Sequence, residues 1–409
     1  MYKNRSAEGF IKLTTGGSRM FKQTDLCKTF FCLLAVLMFS LLIVNLSIAM
    51  DAPGACYDCH ADQNPMSEVS SRDVALSITC WEGYAKPYID DFKALIKDKY
   101  NLNAKIEIHN PTDQEEFFQA AKNGTSDLIS PPIELPKIPR FYCYDFTDRY
   151  LQPIVIEHIP NFVNILPVFK NNTTSTFNGK LFGIPYNCGP YGLAYNADQV
   201  EEEPKSWNVL WNDKYKNKYT VNNNFPKVNL WISALSLGYS QSEIFDINKL
   251  DKDKLQQKLN ILANNAKSLW NGAADPSEFP QLSLATTWGF AVAKANQAGG
   301  NWKMAAPEEG GTAWIDAWYV TQSPSGIKKR LAEEWINFML EEKQQADVVK
   351  SQGVSPVVKH VGEYLNPKQK QLFNVGNNAY FEKLAFWRVM NSETVNSFNE
   401  MWKEAKEQR

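Results

Sequence analysis

Three short stretches of this chain set aromatic rings beside glycine, two of them with an acid. They are Trp81-Glu82-Gly83-Tyr84, Trp288-Gly289 and Gly310-Gly311-Thr312-Ala313-Trp314-Ile315-Asp316. Aromatic faces attract a cation, and a carboxylate neutralises and hydrogen-bonds it, so this combination suits an organic ammonium group. All 12 tryptophans lie at or beyond residue 81, and those beside glycine read as cleft-lining rather than core. A second constellation is Cys56-Tyr57-Asp58-Cys59-His60, a C-x-x-C-H. Its two thiols suit covalent attachment of a c-type haem with His60 as iron ligand; the alternatives are a local disulfide or a linker coincidence. About 15 residues separate His60 from the first expected strand, which is short for a cytochrome domain. His109, His158 and His360 are isolated, with no spacing that suggests a metal site. No Gly-x-Ser-x-Gly, phosphate loop or His-Glu-x-x-His occurs, and the reading is of a protein that is not an enzyme.

The elements that would position these residues alternate in type. Val74 to Cys80 is a short apolar run that suits a buried strand, and Ile89, Phe92, Leu95 and Ile96 recur at helical spacing. Ala104 to His109 reads as a second strand and Ser126 to Ser130 as a third, with a Thr112-to-Glu115 capping box opening the helix between them. Strand, helix, strand, helix, strand opens a parallel α/β sheet, in which ligands bind at the carboxyl ends of the strands. That rule puts Trp81 to Tyr84 at a candidate site. Leu181 to Asn196, where glycine and proline alternate with apolar residues, reads as a passage between two lobes, and Gly353 and Pro356 form a second punctuation point.

With 409 residues, 44% hydrophobic and 22% charged, the chain is that of a folded protein long enough for two lobes. A net charge of −2 gives no reason to expect nucleic acid as a partner. Residues 1–28 carry a net +4 and residues 29–49 carry no charge, which reads as a secretory signal peptide over 1–49, with Met20 as an alternative start. The 21 uncharged residues would also be long enough for a retained membrane anchor, which would make the protein a tethered ligand sensor. Residues 50–71 read as a linker carrying the C-x-x-C-H motif. Beyond residue 50 there are five cysteines; export permits disulfides, with Cys80 and Cys143 as a candidate pair and Cys188 as a buried thiol.

From about residue 75 onward the chain resembles the spermidine/putrescine-binding proteins of bacterial ABC importers. The resemblance is carried by Trp81-Glu82-Gly83-Tyr84, Leu181 to Tyr186 followed by Gly192 to Asn196, Ser206-Trp207 with Leu210-Trp211 and Tyr215-Lys216, Pro307 to Asp316, and Gly353-Val354-Ser355-Pro356, all in the family's order. It implies an α/β, two-lobed periplasmic-binding-protein fold of type II, with an open sheet in each lobe and hinge crossings near 187, 315 and 355. Lobe 1 would comprise 72–187 and 315–355, and lobe 2 would comprise 188–314 and 356–409. It further implies a monomeric periplasmic receptor without catalysis or cofactor, partnered by an inner-membrane ABC permease. The ligand contacts would be Trp81, Tyr84, Trp288, Trp314 and Asp316.

Three departures bear on the ligand. Asn222-Asn223-Asn224 stand where the family has acids, Ser130-Pro131-Pro132-Ile133 stand where it has an aromatic contact, and Arg388 stands where it has a neutral amide. An ammonium buried without a carboxylate costs on the order of several kcal/mol, and a fixed guanidinium repels a polycation further. These departures favour a monoamine, an amino acid or another zwitterion over a long polyamine. The alternative from another class is a haem electron-transfer or haem-sensing protein using Cys56, Cys59 and His60.

Overall fold

The computed structural model describes residues 72–137, 150–171, 173–272, 274–275 and 277–409. The leader, Cys56, Cys59, His60 and Cys143 lie outside the described residues. Among the described residues, no helix is long and apolar enough to cross a membrane.

The first lobe opens as the hydrophobic pattern predicts. Strand β1 (Asp73–Cys80) buries Val74, Leu76, Ile78 and Cys80 at every second position. Helix α1 (Ile89–Tyr100) buries Phe92 and Ile96 one turn apart, with Asp90 and Asp91 in its first turn and Lys97 and Lys99 in its last. Strand β2 (Asn103–His109) follows, then helix α2 (Gln114–Asn123) and strand β3 (Leu128–Ser130). The α2 cap differs by one residue from the expected box. The Asp113 carboxylate accepts from the Glu115 and Glu116 amides, while Glu116 reaches back to the Thr112 amide. Asp113 wins because a carboxylate is the stronger acceptor at a helix N-terminus. Both β2 and β3 run parallel to β1.

Strand β4 (Gly183–Asn196) leaves this lobe. The second lobe then adds β5 (Tyr219–Asn222), α3 (Pro226–Ser236), α4 (Lys252–Asn265), β6 (Ser268–Trp270), β7 (Leu284–Trp288), α5 (Gly289–Gln297) and β8 (Trp302–Met304). Within it, β7 and β6 each pair in parallel with β5. Strand β9 (Gly311–Thr321) returns to the first lobe, followed by α6 (Gly326–Met339), α7 (Glu342–Gln352) and β10 (Ser355–Pro356). Strand β11 (Leu384–Phe386) and helix α8 (Ser392–Glu407) complete the chain.

The expectation of one open sheet per lobe needs refinement, because the two are joined edge to edge in the order β2-β1-β3-β9-β4-β7-β5-β6. The join is the antiparallel pair β4–β9, whose strands run through both lobes. Two separate hydrophobic cores show where the chain crosses. Ile184, Tyr186 and Cys188 belong to the first core, whereas Tyr191 and Leu193 belong to the second. On β9, Ile315 to Val320 belong to the first core, and Trp314 packs against both.

The third crossing lies later than expected. Ser355 pairs with Cys188 at the hinge, but Val357, Val358, Val361, Phe373 and Phe381 return to the first core. Phe381 meets Phe169 with ring centroids 5.0 Å apart, and the Leu166 amide donates to the Val357 carbonyl. Only at β11, which pairs with the start of β9, does the chain pass into the second core through Ala385 and Trp387. Gly353-Val354-Ser355-Pro356 marks a strand pairing at the hinge, and the segment 356–381 packs with the first lobe rather than the second.

Cys80 is a free thiol at the buried end of β1, and Cys143, its expected partner, lies outside the described residues. Burial pushes the Cys80 pKa up to about 12, which disfavours the thiolate. Cys188 is likewise free and buried, as expected.

Candidate functional site

The carboxyl ends of the parallel strands of both lobes converge on one place. From the first lobe come the turn after β1 and the segment after β3; from the second come the ends of β5 and β7 and the start of α3. The β1 turn closes through the Tyr84 amide on the Trp81 carbonyl, and Gly83 holds φ +85 within it. The positive φ favours glycine there, and a Cβ would also displace the end of the Gln352 side chain.

Tyr84 and Asp316 come together, 232 residues apart in sequence. The Tyr84 hydroxyl lies 2.7 Å from Asp316 Oδ2 and 3.2 Å from Asn187 Oδ1, and it donates to these acceptors. Asp316 is 4% exposed and sits opposite Asn187 across the β4–β9 pair. Burial raises its pKa to about 8, the Glu134 charge adds to the rise, and the Tyr84 hydrogen bond opposes it. The Tyr84 hydroxyl is in turn pushed well above its ordinary value, by burial first and by the Asp316 charge second.

The other predicted residues separate. Trp314 packs against the hinge at Gly189, where a Cβ would sit 2.6 Å from its ring. It also lines a cavity of about 660 Å³, together with Gly189, Pro190, Phe290 and Gly353; Asp316 and Tyr84 are not on that cavity's wall. Trp288 is buried in an aromatic cluster with Tyr191, Trp270, Phe225 and Trp387, and its indole N–H donates to the Gly272 carbonyl at 2.7 Å. Trp81 is half-buried, edge-on to Phe117 at 5.0 Å. Arg388 does not join the group. It is exposed, lies 4.3 Å over the Phe245 ring, and donates to the Ser242 carbonyl. Trp387, one residue before it, turns into the core and sends Arg388 outward, as alternation in an extended segment requires.

Two residues that the sequence reading passed over sit in this region. Glu134, 7% exposed, follows the Ser130-to-Ile133 segment in which an aromatic contact was sought. Lys227, at the start of α3, reaches across the lobes to Glu134 Oε1 at 3.3 Å. Its ammonium stands 4.0 Å from the centre of the Trp387 ring and 5.7 Å from that of Trp231. The available signal was positional: Pro226 opens a helix directly after β5, which puts Lys227 at the carboxyl end of a parallel strand. Of the three asparagines, Asn222 alone is fully buried, its Oδ1 accepting from the Phe225 amide. Asn223 bonds to Asn271 and Lys406, and Asn224 to the Gly272 amide.

Several buried polar atoms of this region have no hydrogen-bond partner among the described residues. They include Ser130 Oγ, Glu134 Oε2, Asn187 Nδ2, Asn222 Nδ2, Thr312 Oγ1 and Trp387 Nε1. Native interiors leave few such groups, so their concentration at the lobe junction singles it out. Among the described residues no group of three histidines, cysteines or acids could hold a metal ion.

Comparison with known proteins identifies the family and the fold. The sequence profile of the bacterial extracellular solute-binding proteins matches residues 123–384, well over half of the chain. The chain belongs to that family. Among solved structures it is similar to a spermidine/putrescine ABC transporter substrate-binding protein of Streptococcus pneumoniae. Identity is 21% and the TM-score 0.68, over 82% of this chain and 99% of the other. It is also similar to a GABA receptor (17%, TM-score 0.61, 81% and 98%). A third likeness is to the binding protein MotA of A. tumefaciens in complex with glucopine (15%, TM-score 0.55, 82% and 98%). At these identities the likeness is one of fold, and it bears out the two-lobed α/β architecture. The ligands named for these three proteins differ, so the fold by itself leaves the ligand open.

Proposed function

We propose that this protein is the extracytoplasmic receptor of an ABC importer and captures an amine-containing small molecule between its lobes. The observation that carries the reading is Asp316, a carboxylate buried at the lobe junction with a tyrosine hydroxyl and no cation as its partner among the described residues. A buried acid without a counter-charge is costly unless something else supplies one. A ligand ammonium supplies it, with Tyr84 orienting the carboxylate. Family membership and the fold of the ABC transporter binding proteins support the transport role.

Closure of two lobes over a ligand gives the capture step, and the closed form would present both lobes to a permease in the inner membrane. A basic leader followed by an apolar run fits export to the periplasm. With Asp316 near pKa 8, binding of an ammonium at neutral pH expels the carboxyl proton to solvent.

A thermal-shift panel tests the reading, using putrescine, n-butylamine, 4-aminobutyrate, butyrate and butanol. Ligands that carry an ammonium should raise the melting point, by about 2.7 kcal/mol of stabilisation at a hundredfold excess over the dissociation constant. A panel in which butyrate or butanol stabilises the protein and no amine does would overturn it.

A further inference from the structure

Two acids and one lysine face the lobe junction. Asp316 has a hydroxyl partner, whereas Glu134 is paired with Lys227. The Lys227 ammonium is held as a ligand ammonium would be: by a carboxylate at 3.3 Å, against the Trp387 ring at 4.0 Å, with the Trp231 ring behind. The two ends of this contact belong to different lobes. Glu134 lies between Ile133 and Leu135 of the first core, and Lys227 precedes Val228 and Leu230 of the second. Its side chain is 20% exposed and that of Glu134 9%, so water screens the contact little. Arg388, the cation expected here from sequence, faces solvent and leaves Lys227 as the positive charge of the junction.

We infer that Lys227 is a resident ammonium that occupies one of the two cation positions of the site and so restricts the ligand to a single cationic centre. This rests on the amine-receptor reading above and specifies its ligand class. The Glu134–Lys227–Trp387 group consumes one carboxylate and one aromatic face, leaving the Asp316 carboxyl, which has no cationic partner among the described residues, for the ligand. A diamine would then bring its second ammonium against Lys227, where like charges repel in a poorly screened setting. A monoamine meets no such charge. The same contact also ties the lobes together through side chains of the protein itself, so the ligand need not bridge them with a second amine.

n-Butylamine and putrescine separate the possibilities, because they share a four-carbon chain and differ in the second ammonium. Isothermal titration of the full exported chain at fixed salt should show butylamine bound at least as tightly as putrescine. In Lys227→Met, which keeps the aliphatic stem over Trp387, Glu134 is free to take the second ammonium. The putrescine-to-butylamine affinity ratio should then rise about tenfold or more. Lys227→Gln serves the same purpose should the methionine variant fail to fold, with cooperative melting as the check. A wild-type preference for putrescine of tenfold or more, or a ratio that changes less than threefold in the folded variant, overturns the inference while amine binding itself stands. Failure of both amines to bind wild type overturns the receptor reading and the inference together.

Discussion

The first lobe buries acids in two ways. Glu333 and Glu334, on the inner side of α6, are each 1% exposed and well supplied with positive partners. Glu333 meets a His158 ring nitrogen, the Val155 amide and Lys329, while Glu334 meets Lys99, Arg330 and the Tyr100 hydroxyl. Asp316, at the lobe junction, is almost as deeply buried but has, among the described residues, the Tyr84 hydroxyl and a neighbouring acid and no cation. A buried carboxylate whose charge is met inside the protein is structural. One left unmet at the meeting point of two lobes points to a charge brought from outside.

The largest test of this contrast is a pair of neutral substitutions. Asp316→Asn should lower amine affinity about a hundredfold or more, from the loss of ~3 kcal/mol of buried ion pairing, without lowering the melting point of the unliganded protein. Glu334→Gln should do the reverse: stability falls by about 2 kcal/mol in denaturant titration, and affinity stays within twofold. If Asp316→Asn destabilises as much as Glu334→Gln and leaves affinity unchanged, the two acids are alike and the contrast fails.

A pH series sharpens it. The ligand amine, with a pKa of about 10, stays charged from pH 6 to 8, whereas Asp316 loses its proton only near pH 8. Amine affinity should therefore rise about tenfold per pH unit below 8, flatten above it, and lose this slope in Asp316→Asn. Stability of the unliganded protein runs the other way. A raised folded pKa means that the folded state binds the proton more tightly, so its contribution is full below pH ~4 and is lost as pH rises through about 8. Titration in buffers of different ionisation enthalpy checks the accompanying proton release. The smallest effect is expected at Arg388: because its guanidinium lies on Phe245 facing solvent, Arg388→Ala should change stability by no more than about 0.5 kcal/mol and affinity by less than twofold.

Much was legible in the chain itself. Alternating burial in Val74 to Cys80 and the repeat of Phe92 and Ile96 follow from side-chain periods of 2 and 3.6, which are local properties. So is the carboxyl-end position of Tyr84 after β1. Tertiary structure decided which acids have partners, because a partner is a matter of distance across the fold. Asp316 meets Tyr84 over 232 positions, and Glu134 meets Lys227 over 93. It also decided which way each side chain faces. Trp387 and Arg388 are neighbours in sequence, yet one turns into the second core and the other toward water. The site's aromatic and acidic character was therefore readable from residue types, whereas its net charge, and with it the class of ligand, depends on packing that brings Lys227 in and leaves Arg388 out.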